Sequence, residues 1–321
     1  MNIKIILISM AEPNSVFSEI LFKYFSSNKF KNFKKKIVLI GNKFLLLKQM
    51  KKLKYNLMFN EINQINDAKT NKINIININY NFKKIFNRIT SSSNKYIKKS
   101  FEESLKIINK NKSIGFINGP ISKKHFLKKK FYGITEYISN KTNSKNQVML
   151  IFNEKLAVSP ITTHIPLKNV VKNITKKKII NNVKIINEFY LNSLKKKPKI
   201  AILGINPHCE TIEKISEEKK IIIPAVKYLK KKKKKKINGP FSADTFFITK
   251  NIKKYDVVVG MYHDQVLTPL KTLFNFNAIN ITLGLPFIRV SPDHGPNLEM
   301  LGKNKSDPAS IFCALRFFNK I

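Results

Sequence analysis

The strongest constraint on the fold of this chain is a recurring unit, a short apolar run that ends in a Gly-, Pro- or Asn-bearing turn and is followed by a helical stretch. Residues 3–9 (IKIILIS) form the first run, followed by a loop with Pro13 and a helix from about Ser15. Residues 36–40 end at Gly41-Asn42, residues 113–117 run into Asn118-Gly119-Pro120, and residues 199–203 enter Gly204-Ile205-Asn206-Pro207-His208. Residues 256–259 enter Gly260-Met261-Tyr262-His263, and residues 278–283 enter Gly284-Leu285-Pro286. Residues 147–152 and 156–161 are strand-like and joined by a polar turn at Asn153-Glu154. Between the runs, residues 96–109 carry Phe101, Leu105 and Ile108 at helical spacing, residues 179–194 form a long helix, and residues 308–318 form a closing one. Strands alternating with helices predict α/β layers around a mostly parallel sheet. The 321 residues are enough for two such lobes.

The formal net charge of +42 invites a nucleic-acid or anionic-membrane reading. Its make-up argues otherwise. Only Arg88, Arg289 and Arg316 among 61 basic residues are arginine, whereas surfaces that read phosphates and bases favour the arginine fork. Lysine is spread through every segment with abundant Asn and Ile, as compositional bias would produce, and residues 230–236 form a lysine tract expected at a helix end and loop. No apolar window approaches the length of a membrane span, and the apolar stretch 5–10 is too short for a signal-peptide core. Two cysteines, Cys209 and Cys313, fit a reducing cytoplasm. Against this bias, residues used sparingly stand out: five of the six aspartates lie after position 240.

His164, His208 and His263 each follow the C-terminal end of an expected strand, the edge where open α/β sheets bind ligands. Three imidazoles converging there would suit a divalent ion with open positions; separately, each would be a hydrogen-bonded structural histidine. Lys271, on an expected short helix with Pro269 in its first turn, Asn280 at a strand end, and Arg289 beside a Gly-Pro turn make a set of anion-binding candidates. For Arg289 and Lys271 the alternative is a surface salt bridge. Asp244 and Asp264 are candidate acid/base or histidine-orienting carboxylates, with helix capping by Ser242 or Asp244 as the alternative. Residues 118–123 could open a helix toward an anion. No GxGxxG turn occurs, so an ordinary Rossmann dinucleotide site is not expected.

Residues 261–265 (MYHDQ), 280–289 (NITLGLPFIR), 291–295 (SPDHG) and 239–245 (GPFSADT) resemble the 4-hydroxythreonine-4-phosphate dehydrogenases of pyridoxal phosphate biosynthesis. Asn206-Pro207-His208, Thr162 to Leu167 and Gly119-Pro120 match the same family in the same order. The resemblance implies two α/β/α lobes like those of isocitrate and isopropylmalate dehydrogenases, with the active site in the interlobe cleft. The expected lobes are residues 1–130 with 300–321, and residues 131–299. His164, His208 and His263 would be metal ligands (Zn, Mg or Co) in a site shared across a homodimer. Thr135, Lys271, Asn280 and Arg289 would contact substrate, with Lys271, Asp244 and Asp264 in the catalytic roles. NAD would oxidise the substrate hydroxyl, and the β-keto acid would lose CO₂. Three departures stand out: Ile134 where the family has His, an N-terminal turn (residues 11–19) without its glycines, and residues 209–218 in place of a glycine-rich stretch. Loss of the N-terminal glycines predicts that this turn takes another path. The rival readings are a dehydrogenase for another four-carbon phosphorylated hydroxy acid, a basic nucleic-acid-binding protein without turnover, and an inactive structural dimer.

Overall fold

The apolar runs are buried because they lie in sheets covered by helices. A computed structural model describes residues 3–111, 113–127, 130–131, 133–209, 215–233, 236–275, 277–292 and 295–321. In chain order the strands are β1 (Ile5–Ser9), β2 (Lys36–Gly41), β3 (Phe59–Glu61), β4 (Ile73–Asn77), β5 (Ile114–Asn118), β6 (Val148–Phe152), β7 (Ala157–Thr162), β8 (Ile200–Leu203), β9 (Ile237–Phe241), β10 (Val257–Tyr262), β11 (Ile279–Leu283) and β12 (Arg289–Pro292).

The chain divides into two compact units, Met1–Asn143 with Leu285–Ile321, and Ser144–Gly284. In the first, the strand order is β3-β4-β2-β1-β5-β12 and every pairing is parallel. Strand residues Leu7, Val38, Ile114 and Phe116 share a core with Tyr96, Ile97, Phe101, Leu105 and Ile108 of the helix Asn94–Lys110. Phe101, Leu105 and Ile108, expected on one helix face, all point into it. In the second unit the order is β11-β6-β7-β10-β8-β9, antiparallel at β11/β6 and β6/β7 and parallel from β7 onward.

The units change over at 143/144 and 284/285, against expected boundaries of 130/131 and 299/300. The reason is packing: Tyr137, Ile138 and Phe287 are buried in the same cluster as Phe101 and Phe116, which draws their segments into the first unit.

Four strands carry no clear sequence signal. β4 reads INIIN, yet Asn74 is fully buried, its Nδ2 donating to the carbonyls of Ile37, Lys69 and Lys72 and its Oδ1 accepting from Lys69 N–H. A strand asparagine satisfied in this way breaks the apolar pattern without breaking the sheet. β9 reads INGPF, and a proline is tolerated because this strand is at the edge of its order. β3 and β12 are three and four residues long, too short for periodicity to register. The helix Ile223–Lys233 takes in the start of the lysine tract; residues 234–235 of the tract lie outside the described residues.

In the N-terminal turn, Ala11, fully buried, holds φ +53°, the left-handed conformation that glycine adopts without strain. The loop thus makes a left-handed turn at a residue that carries a Cβ. Next to it, Glu12 is buried and accepts hydrogen bonds from Asn14 N–H and Ser93 Oγ, each 3.1 Å long. Relief of the strain at Ala11 is testable. Ala11→Gly should raise the unfolding free energy by about 0.5–1 kcal/mol in urea titrations, where an exposed alanine-to-glycine change lowers it.

Candidate active site

β7, β10 and β8 are adjacent and parallel, so their C-terminal ends lie along one edge. His164 lies two residues past β7, His263 is the first residue of the helix that follows β10, and His208 lies in the turn after β8. The His164 and His263 rings are 5.8 Å apart between centroids and tilted by 41°. His263 Nδ1 is 2.7 Å from Asp264 Oδ1, which leaves Nε2 as the ring's free ligating position. His208 sits at φ +55°, and its Nδ1 lies 3.7 Å from Asp244 Oδ2, with both side chains exposed. Among the described residues no three His, Cys, Asp or Glu side chains group in a way that could hold a metal ion. One chain therefore brings His164 and His263 together and gives His208 a carboxylate partner.

Asp244 also accepts from Ser242 Oγ and from Thr245 N–H. The Ser242 hydroxyl foremost, then the Thr245 N–H and His208, hold its carboxyl below the ordinary range. Ser242 occupies the N-cap position of the short helix Ala243–Phe246 but makes no side-chain cap bond.

The turn carrying His208 hangs on Glu218, a residue the sequence did not single out. Its Oε1 accepts the N–H groups of Ile205 (2.8 Å) and Asn206 (2.9 Å), and its Oε2 accepts Asn206 Nδ2 (2.8 Å). Burial works to raise this carboxyl, but the Asn206 and Ile205 donors outweigh it and hold the pKa below the ordinary value. Residues 210–214, within the segment that replaces the glycine-rich stretch, lie outside the described residues.

Lys271 is exposed in the last turn of the helix His263–Phe274. Pro269 was expected in a first turn. The helix instead begins at His263, so Pro269 lies in its interior and cannot donate to the Gln265 carbonyl. Asn280 on β11 has a buried Oδ1 without a hydrogen-bond partner among the described residues. An open acceptor of this kind suits an N–H or O–H of a ligand.

In the first unit, Arg289 is fully buried rather than a surface ion-pair residue. Its Nε donates to Asn118 Oδ1 (2.8 Å), Nη1 to Thr135 Oγ1 (2.9 Å) and Nη2 to Ser291 Oγ (3.1 Å). Burial lowers its pKa to about 10, opposed by the Glu136 carboxylate, so it stays charged at neutral pH. These three bonds fix the orientation of the guanidinium. Asn118 thus serves the arginine, and the segment after it forms only a five-residue turn, Lys123–Leu127, rather than a long anion-facing helix. Ile134, beside Thr135, packs against the apolar cluster of this unit. Asp293 and His294 lie outside the described residues.

Residues 33–318 match the family described as pyridoxal phosphate biosynthetic protein PdxA. This chain belongs to that family. A 4-hydroxythreonine-4-phosphate dehydrogenase of Sulfurihydrogenibium is 41% identical over 312 residues, covering 96% of this chain and 95% of that one. The crystal structure of 4-hydroxythreonine-4-phosphate dehydrogenase from Klebsiella pneumoniae superposes with a TM-score of 0.85 at 25% identity, over 98% of both chains. Isocitrate dehydrogenase from Methylococcus capsulatus, at 10% identity and a TM-score of 0.50 over 99% of this chain and 85% of that one, shares the fold. The α/β class expected from sequence therefore holds. No helix of the described residues is long and apolar enough to cross a membrane.

The Glu218 anchor gives a pH-dependent prediction. Because its folded pKa is depressed, its contribution to stability is present above the unfolded value of about 4.3 and is lost as pH falls through the folded pKa. Glu218→Gln should lower stability by about 1–3 kcal/mol at pH 7. The gap in melting temperature between wild type and variant should close on acidification below about pH 4.

Proposed function

We propose that this chain is an NAD-dependent 4-hydroxythreonine-4-phosphate dehydrogenase of pyridoxal phosphate biosynthesis. It oxidises 4-phosphooxy-L-threonine to a β-keto acid that loses CO₂ to give 3-amino-2-oxopropyl phosphate. The observation that carries the substrate class is Arg289, a buried, charged guanidinium in a chain with only two other arginines, its orientation fixed by Asn118, Thr135 and Ser291. A phosphate or carboxylate meets a preorganised partner there. The Thr135 hydroxyl accepts from Arg289, which leaves its own proton to donate to an anionic oxygen. The open Asn280 Oδ1 suits the substrate's amino or hydroxyl group.

The histidines fit a divalent ion such as Zn, Mg or Co. His263 has a carboxylate on Nδ1, and His208 has one facing its Nδ1, the arrangement that fixes tautomers in metal sites. His164, His208 and His263 would be the ligands, in a site shared across a homodimer to which each chain contributes from these three segments. Such an ion would supply polarisation of the substrate hydroxyl and stabilisation of negative charge on its oxygen, and NAD would supply the hydride acceptor. Lys271, or a water held at the same centre, would take the hydroxyl proton. Asp264 holds the His263 tautomer. Asp244, kept anionic, orients His208 instead of carrying a proton. A related four-carbon phosphorylated hydroxy acid is the second reading, and the apolar packing of Ile134, which offers no hydrogen bond, is what favours it.

The deciding experiment is NADH formation at 340 nm with 4-phosphooxy-L-threonine, with and without Zn²⁺, Mg²⁺ or Co²⁺. Metal-dependent turnover that disappears in His208→Ala is expected; metal binding without turnover would transfer the assignment to another phosphorylated substrate. Lys271→Met should lower kcat by about 10²–10⁴-fold, and full turnover in that variant would remove Lys271 from the proton-transfer role. Arg289→Lys keeps the charge but loses the fork, and should reduce kcat/KM by about 10–100-fold, mostly through KM.

A further inference from the structure

The ladder between β10 and β8 pairs Val257 with Ile200, Val258 with Ala201 and Val259 with Ile202, and then ends. Just past that end a single side chain bridges the two segments. Gln265 Oε1 accepts Met261 N–H at 2.7 Å, and Gln265 Nε2 donates to the Gly204 carbonyl at 2.8 Å. A glutamine amide offers the same acceptor and donor as a peptide group, so Gln265 acts as an added rung where the backbone pairing stops. On the β7 side of the same residue, Thr162 Oγ1 donates to the Met261 carbonyl at 2.7 Å. Both polar groups of the Met261 backbone are thereby tied, one to each neighbouring segment.

These ties fall where the histidines begin. Thr162 is two residues before His164, Met261 two before His263, and Gly204 opens the turn that carries His208. The local glycines serve the same contact. A Cβ on Gly260 would lie 2.8 Å from Gln265 Oε1 and 2.4 Å from Val266 Cγ1. A Cβ on Gly204 would lie 2.6 Å from Cys209 Sγ and 3.1 Å from Glu218 Oε1. Bare backbone at both positions lets the helix from His263 fold back over the strand end and lets the His208 turn close beneath it.

We infer that Gln265 is a positioning residue of the histidine centre, its amide acting with the Thr162 hydroxyl to hold the three histidine-bearing segments in one register. Gln265 is not a ligand; it sets the relative placement of groups that are. This rests on the metal-site reading given under Proposed function. Metal affinity depends steeply on how well ligands are held before the ion arrives, and loss of an outer hydrogen bond of this kind weakens binding by about 10–100-fold.

The test uses the full chain freed of metal, with Co²⁺ as the probe. Calorimetric titration gives the Kd, the visible d–d absorption of bound Co²⁺ reports ligand geometry, and the melting temperature without metal reports the fold. Gln265→Met keeps the length and removes both hydrogen bonds. It should raise the Co²⁺ Kd by about 10–100-fold and alter the d–d spectrum. Thr162→Val, which removes the tie on the other side, should act in the same direction and decides the matter if Gln265→Met does not fold. Wild-type Kd and spectrum in the folded variants would overturn the inference. If the wild-type chain binds no Co²⁺, or if His208→Ala binds it as well as wild type, the metal-site reading itself falls and takes the inference with it.

Discussion

The parallel pairing of β7, β10 and β8 is the constraint on which the rest of the candidate site depends. Parallel strands put their C-terminal ends on one edge, and a chain that leaves each strand through a short turn delivers whatever residue follows to that edge. The turns after these strands carry His164, His263 and His208. Positions separated by 99 (His164 and His263) and 55 (His208 and His263) residues in sequence become neighbours in sheet order for this reason alone. Gln265 then bridges the ends of β10 and β8, accepting from Met261 N–H and donating to the Gly204 carbonyl, where the backbone ladder stops.

The first unit solves a different electrostatic problem. A buried guanidinium carries a large desolvation cost, visible in the lowered pKa of Arg289. Neutral acceptors from Asn118, Thr135 and Ser291 offset part of that cost without neutralising the charge, and the Glu136 carboxylate supports the charged form. The result is a cation held in one orientation inside the first unit. The lysines that dominate the composition serve another purpose. The ion pairs of Lys98 with Glu102 and of Lys106 with Glu103 link exposed side chains, an arrangement worth little to stability.

Other positions show how the fold accommodates the composition of this chain. Ala11 keeps a left-handed turn at some cost in strain. Asn74, a residue the composition favours, is used as a buried hydrogen-bonding hub within a strand. Ile134, partly buried, packs against the apolar cluster of the first unit.

The alternation of apolar runs with helices was enough to specify the α/β class, because burial of short strands leaves a local signature in the chain. Strand ends also singled out His164, His208 and His263, and rarity against the lysine background singled out Arg289, whereas Lys271 and Asn280 stood out chiefly through the family resemblance. Strands without an apolar pattern were not legible: β4 is held by Asn74, and β9 survives its proline only by lying at an edge. The start of the helix at His263, ahead of Pro269, was hidden because a proline reads locally as a first-turn residue. Burial of Arg289, the Glu218 anchor and the Gln265 bridge were decided by tertiary structure alone. Each depends on partners distant in sequence, or on which backbone groups a sheet leaves unpaired, and the local pattern of residues carries no record of either.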